Sequence, residues 1–164
     1  MKNIVLIGMM GCGKTTVGGL LARRLGLTFV DTDRYIEEAL GRSIPDIFAR
    51  EGEAFFRDRE LGAAEELARR QDQVIACGGG LPTRPDSIAS LKYSGTVIFL
   101  RRDPGEIYDS VSMGGRPLGQ QGREAFLARY AAREPVYLEW ADHIVDSRAS
   151  AEETAGAVLE VLKL

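Results

Sequence analysis

Five short apolar runs punctuate the chain, at Asn3–Ile7, Thr28–Asp31, Gln73–Cys77, Thr96–Leu100 and His143–Asp146. They are rich in Val, Ile and Phe without clean alternation, the pattern of strands buried on both faces of a parallel sheet. Longer segments with helical spacing separate them. Lys14 to Leu25 sets Val17, Leu20, Leu21 and Leu25 on one face and stops at Gly26. Gly18 and Gly19 inside that helix each cost up to about 1 kcal/mol relative to Ala, which predicts close approach of helix to sheet. A second helical stretch runs from Asp33 to about Leu40, Ser43-Ile44-Pro45 opens another that carries Ile47 and Phe48 as far as Gly52, and Glu53 to Arg70 follows. Ser150 with Glu153 forms a capping box for a final helix whose inner stripe is Val158, Leu159 and Leu162. Strands alternating with helices predict an α/β sandwich with right-handed crossovers, and with no repeat or linker the expectation is one domain over 1–164.

One stretch breaks the pattern. Ser112 to Gly122 holds four glycines and few core residues between two helical patterns. A loop of that length in a compact domain is usually functional, so a mobile lid is expected, with Arg116 at its middle able to deliver charge on closing.

Composition sharpens this outline. The 164 residues include 19 glycines, roughly 12% where about 7% is average, yet with no collagen-like period. Net charge is −3, so neither nucleic acid nor an anionic membrane is an expected partner. Cys12 and Cys77 form no C-x-x-C pair, which suits reduced thiols in a cytoplasmic protein. His143 is the only histidine, which excludes a histidine metal cluster. Lys2 and the run Ile4 to Met10 before Gly11-Cys12 mimic an export signal, but the run flows into a motif that cleavage would destroy, so no leader is expected. No segment approaches the roughly 18 apolar residues that span a bilayer.

The most specific motif is Gly8-Met9-Met10-Gly11-Cys12-Gly13-Lys14-Thr15, which fits G-x-x-x-x-G-K-[ST] between an apolar strand and an amphipathic helix. Glycines there let backbone N–H groups turn around a polyphosphate at the positive end of the helix dipole. Lys14 then reaches the β- and γ-phosphates and the Thr15 hydroxyl ligates Mg²⁺, so ATP or GTP is implied. Asp31-Thr32-Asp33 falls at the end of the second strand, the sheet edge that binds ligands. Its carboxylates suit a role beside Mg²⁺ and as acceptor of a proton from an attacking hydroxyl. Asp33 also reads as an N-cap of the helix that follows. Arg57 and Glu60 share a helix face, a pattern that taken alone reads first as a surface ion pair. Gly78-Gly79-Gly80 after the third strand offers bare backbone to a small molecule, and Arg57, Arg116, Arg133 and Lys14 together suit two anions, one of them an acidic acceptor.

In these residues the chain resembles shikimate kinases along nearly its whole length. The phosphate loop, Asp31-x-Asp33, Gly52-Glu53-x-x-Phe56-Arg57-x-x-Glu60, Gly78-Gly79-Gly80, Arg116-Pro117 and Arg133 stand in that family's order. The resemblance implies a P-loop kinase fold, a three-layer α/β/α sandwich on a five-stranded parallel sheet of order 2-3-1-4-5. It implies transfer of the ATP γ-phosphoryl to the 3-hydroxyl of shikimate, with Mg²⁺, by a monomer whose acceptor-binding excursion covers about 33–61 and whose lid covers about 112–122. Catalysis would fall to Asp33, Lys14 and Arg116. ATP would be held by Gly11, Cys12, Gly13, Lys14, Thr15, Thr16, Arg116 and Arg148. Shikimate would meet Asp33, Phe48, Phe56, Arg57, Glu60, Gly78, Gly79, Gly80 and Arg133, and Mg²⁺ would meet Thr15 with Asp31 behind it. The chain departs from the family at Tyr108-Asp109-Ser110, where an adenine-stacking Arg is frequent, and at Leu118-Gly119, where two leucines are. A gluconate kinase and a non-catalytic nucleotide-binding regulator are the competing readings.

Overall fold

The computed structural model describes residues 1–113 and 122–164. Five parallel strands, β1 (Asn3–Ile7), β2 (Thr28–Asp31), β3 (Gln73–Ala76), β4 (Gly95–Arg101) and β5 (His143–Asp146), form one sheet in the order β2-β3-β1-β4-β5. In register, Val5 lies beside Ile75 on one side and Val97 on the other, Val30 beside Ile75, and Leu100 beside Val145. This is the strand order that the resemblance implies.

The helices are α1 (Lys14–Leu25), α2 (Thr32–Leu40), α3 (Ile44–Glu51), α4 (Glu53–Ala68), α5 (Pro85–Ser94), α6 (Pro104–Met113), α7 (Gly122–Trp140) and α8 (Ala151–Val161), with a 3-10 turn at Leu81–Thr83 before α5. Because successive side chains of a strand point to opposite faces, β1 feeds two cores. Ile4 and Leu6 pack with Leu21 of α1 and Val158 of α8, whereas Val5 and Ile7 pack with Leu67 of α4 and Ile88 of α5. A third cluster, Ile36, Ile47, Phe56 and Ala63, binds α2, α3 and α4 to one another beside the sheet.

The structure corrects four expectations. Only the three central strands are buried on both faces: β2 and β5 are the sheet edges, and in β5 Val145 alone is buried. Only Gly18 meets the sheet closely, since a Cβ there would lie 2.5 Å from Cε1 of Phe29, while nothing stands within 4 Å of one at Gly19. Helix α4 ends at Ala68, two residues short of Arg70. Helix α5 is absent from the periodicity reading because its inner face is only Ile88 and Leu91 beside Ser87, too short a stripe to stand out. The expected lid lies, from residue 114 to 121 and Arg116 with it, outside the described residues. Among those residues no helix is long and apolar enough to cross a membrane.

Candidate active site

The loop from Gly8 to Gly13 leaves β1 and opens α1. Gly8, Gly11 and Gly13 have φ of 147°, 83° and 98°, and a Cβ at Gly8 would fall 2.7 Å from the Leu100 carbonyl oxygen. Only glycine adopts such backbone without strain. Gly13 caps α1 without a side-chain hydrogen bond, so the first N–H groups of the helix remain available to an anion. Lys14, buried in the loop, donates through Nζ to the carbonyls of Gly8 at 2.5 Å and Met9 at 3.0 Å.

The Thr15 hydroxyl, exposed beside it, donates to Asp31 Oδ2 at 3.0 Å. The other oxygen of Asp31 accepts from the backbone N–H of Asp33 at 3.0 Å and of Arg34 at 3.2 Å. Asp31, not Asp33, is therefore the N-cap of α2, because β2 passes into α2 with no intervening loop. That correction frees the Asp33 carboxyl from capping. Burial pushes its pKa up, the Asp31 charge adds to the rise, and Lys14 and Arg57 oppose it.

The triple glycine sits where sequence reasoning put it, past the end of β3. Gly78 is pinned by its N–H donating to the Thr32 hydroxyl at 2.9 Å, and a Cβ on it would stand 2.5 Å from Asp33 Oδ1. A Cβ on Gly79 would meet Arg133 Nη1 at 3.3 Å, and one on Gly80 would collide with the Arg57 guanidinium. These glycines bring a carboxylate and two guanidinium groups against bare backbone. Tyr137, one turn beyond Arg133 on α7, fixes the loop by donating its hydroxyl to the Gly79 carbonyl at 2.7 Å.

Arg57 donates to Glu60 Oε1 at 2.5 Å and lies 5.4 Å from the Phe56 ring centroid, which in turn stands 4.9 Å from that of Phe48. The Glu60 side chain is only 2% exposed, so the surface ion pair is excluded. Among the described residues its buried Oε2 has no hydrogen-bond partner. Desolvation accordingly carries the Glu60 pKa up to about 7, with the Arg57 hydrogen bond pulling the other way.

Two openings flank the phosphate loop. The larger, about 720 Å³, is lined by Lys14, Thr15, Thr16, Asp31, Asp33 and Gly78 among others. Arg57, Arg133, Glu60, Phe48 and Phe56 do not line it; Arg133 and Arg57 stand against the glycine loop at Gly79 and Gly80. The second, about 460 Å³, is lined by Cys12, Gly13, Thr16, Arg102, Ser147 and Arg148. Gly11 lines the first opening only. Among the described residues no cluster of three or more His, Cys, Asp or Glu could hold a metal by itself. Thr15 and Asp31 nonetheless suit an ion such as Mg²⁺, which takes few protein ligands and completes its shell from phosphates and water. Arg102 and Tyr137 are the residues that sequence reasoning missed. Arg102 follows a strand at the ligand-binding edge and Tyr137 shares a helical face with Arg133, so each carried a positional signal but no motif.

A family model described as shikimate kinase matches residues 10–163. A shikimate kinase of Symbiobacterium thermophilum is 43% identical over 167 residues, covering 98% of this chain and 96% of that protein. One from Burkholderia lata is 42% identical over 168 residues, covering 99% and 90%. The solved structure of shikimate kinase from Acinetobacter baumannii in complex with shikimate superposes with a TM-score of 0.89 at 36% identity, covering 99% of this chain and 93% of that one.

Proposed function

The chain belongs to the shikimate kinase family, and from that premise we propose how its residues divide the work of the family's reaction. The protein is an ATP-dependent kinase that transfers the γ-phosphoryl group to the 3-hydroxyl of shikimate, giving 3-phosphoshikimate and ADP on the route to chorismate and the aromatic amino acids.

One observation carries the residue roles. The Asp33 carboxyl stands between the phosphate-binding loop and the half-buried Arg57 guanidinium, which buried Glu60 braces. An anionic acceptor gripped by Arg57 and Arg133 through its carboxylate would present a ring hydroxyl toward the phosphate loop, and Asp33 is the base within reach of that hydroxyl. Its raised pKa increases its strength as proton acceptor. Phe48 and Phe56 wall the ring, Gly78, Gly79 and Gly80 give it backbone contacts, and Glu60 holds Arg57 in place.

On the donor side the backbone of Gly11, Cys12 and Gly13 and the side chains of Lys14, Thr15, Thr16 and Arg148 hold ATP. Lys14 and Arg116 offset charge on the transferring phosphoryl group, which matters because this chemistry is won by positioning and electrostatics. Mg²⁺ would be held by Thr15 with Asp31 behind it, and when bound supplies neutralisation and orientation of the phosphate oxygens. A cytoplasmic monomer with neither nucleic-acid nor membrane partners completes the reading, and the net charge of −3 supports the absence of those two partners.

A coupled ADP-release assay with ATP and Mg²⁺ tests this directly. Release should depend on shikimate and not on gluconate; release with gluconate and not with shikimate would overturn the reading, and nucleotide binding without release would mark a regulator.

A further inference from the structure

Where β4 ends and before α6 begins the chain carries two adjacent arginines, Arg101 and Arg102, and they are used differently. Arg101 is committed to Asp146, with Nε and Nη2 at 2.7 and 3.2 Å from its two oxygens. Among the described residues no carboxylate lies within ion-pairing distance of Arg102. Its Nη1 instead donates to the carbonyl of Gly11, in the phosphate loop, at 3.2 Å.

Arg102 lines the 460 Å³ cleft together with Gly13, Thr16, Ser147 and Arg148, and it does not line the larger opening that holds Lys14 and Thr15. The bond to Gly11 thus holds the guanidinium beside the phosphate loop, on the side away from Lys14. The described part of α6 offers this cleft no other cation: Tyr108 packs on Phe126 with centroids 5.8 Å apart, and Asp109 is bound by Arg123 at 3.3 Å. Among the described residues Gly11 takes one of the five guanidinium N–H groups of Arg102, so the rest of the planar group is available to the cleft that it lines.

We propose that Arg102 binds the nucleoside end of ATP, laying its guanidinium against the base and ribose across the cleft from Arg148. The proposal rests on the reading of Gly8–Thr15 as the ATP phosphate site. The bond to Gly11 aims the guanidinium, and Arg102 thereby contacts the part of the nucleotide that the loop does not touch. A planar cation suits a purine face as an ammonium does not.

The test compares ADP with inorganic tripolyphosphate, each with Mg²⁺, in calorimetric titrations of the unaltered protein, Arg102→Ala and Arg102→Lys. The half-exposed site makes both variants tolerable to the fold. Arg102→Ala should bind ADP about 10-fold more weakly, with tripolyphosphate affinity and shikimate KM within about twofold of the unaltered protein. Arg102→Lys, which keeps the charge and loses the plane, should stay weakened for ADP. Parallel losses of ADP and tripolyphosphate would show that Arg102 only braces the loop and would overturn the proposal, as would full ADP affinity in Arg102→Ala. If the unaltered protein bound neither ligand, the phosphate-site reading itself would fall.

Discussion

In the proposed assignment of residues, the two sides of the phosphate loop hold their anions in opposite ways. On the acceptor side the cation is set before any ligand arrives: Arg57 is gripped by Glu60, itself buried, and stands over Phe56 against the Gly80 backbone. On the donor side the cations are loosely committed. Arg102 has one backbone carbonyl and Arg148 is exposed. The difference follows from the ligands. A small carboxylate offers few contacts, so its site must be rigid and already oriented to bind it at all, whereas a nucleoside triphosphate brings phosphates that a helix N-terminus and nested N–H groups recognise unaided. Asp33 lies where the two regimes meet, and its raised pKa reflects burial on one side and Asp31 on the other.

Removing the meeting point should have the largest effect. Asp33→Asn keeps the shape and loses the base, and kcat should fall about 10²–10⁴-fold with both ligand affinities retained; steady-state kinetics with independent ligand titrations would check it, and near-normal turnover would dissolve the division into two sides. Next in size is a change that touches only the acceptor side. Gly80→Ala puts a Cβ into the Arg57 guanidinium and should raise shikimate KM roughly tenfold or more, the range that follows from moving one partner of a buried charge pair, while ATP KM stays put.

These residues also show how far the sequence could be read. The alternation of apolar runs with helical stripes was enough for an α/β domain, because buried strands and amphipathic helices write their environment into composition. Strand order was not legible that way, since nothing in β2 records that it pairs with β3 and not with β1; it came with the family resemblance. The phosphate loop and the triple glycine were legible because glycine spacing and strand ends carry chemistry locally, whereas Arg57 with Glu60 read by itself as a surface ion pair and took its role from the family resemblance. The N-cap was misassigned because Asp31 and Asp33 are both good caps and only the absence of a loop after β2 decides between them. Arg102 carried only its position after a strand, because a lone arginine has no motif and its proposed role depends on a bond to a residue 91 positions away.

The smallest effect concerns protons. Glu60 is raised from its ordinary 4.5 to about 7, so across that interval the folded protein binds more protons at this site than the unfolded chain. Stability from this group is present in full below about 4.5 and is lost as the pH rises through about 7. Urea titrations at several pH values should show that slope in the unaltered protein and its loss in Glu60→Gln. An unchanged slope would mean that Glu60 is charged throughout and that Arg57, not burial, governs it.

The central claim is that acceptor and nucleotide are held by separate sets of residues on the two sides of one loop. It is tested most directly by titrating shikimate and ADP separately into Arg57→Ala. Shikimate affinity should fall by about 2–5 kcal/mol while ADP affinity remains that of the unaltered protein; equal losses for both ligands, or undiminished shikimate binding, would contradict it.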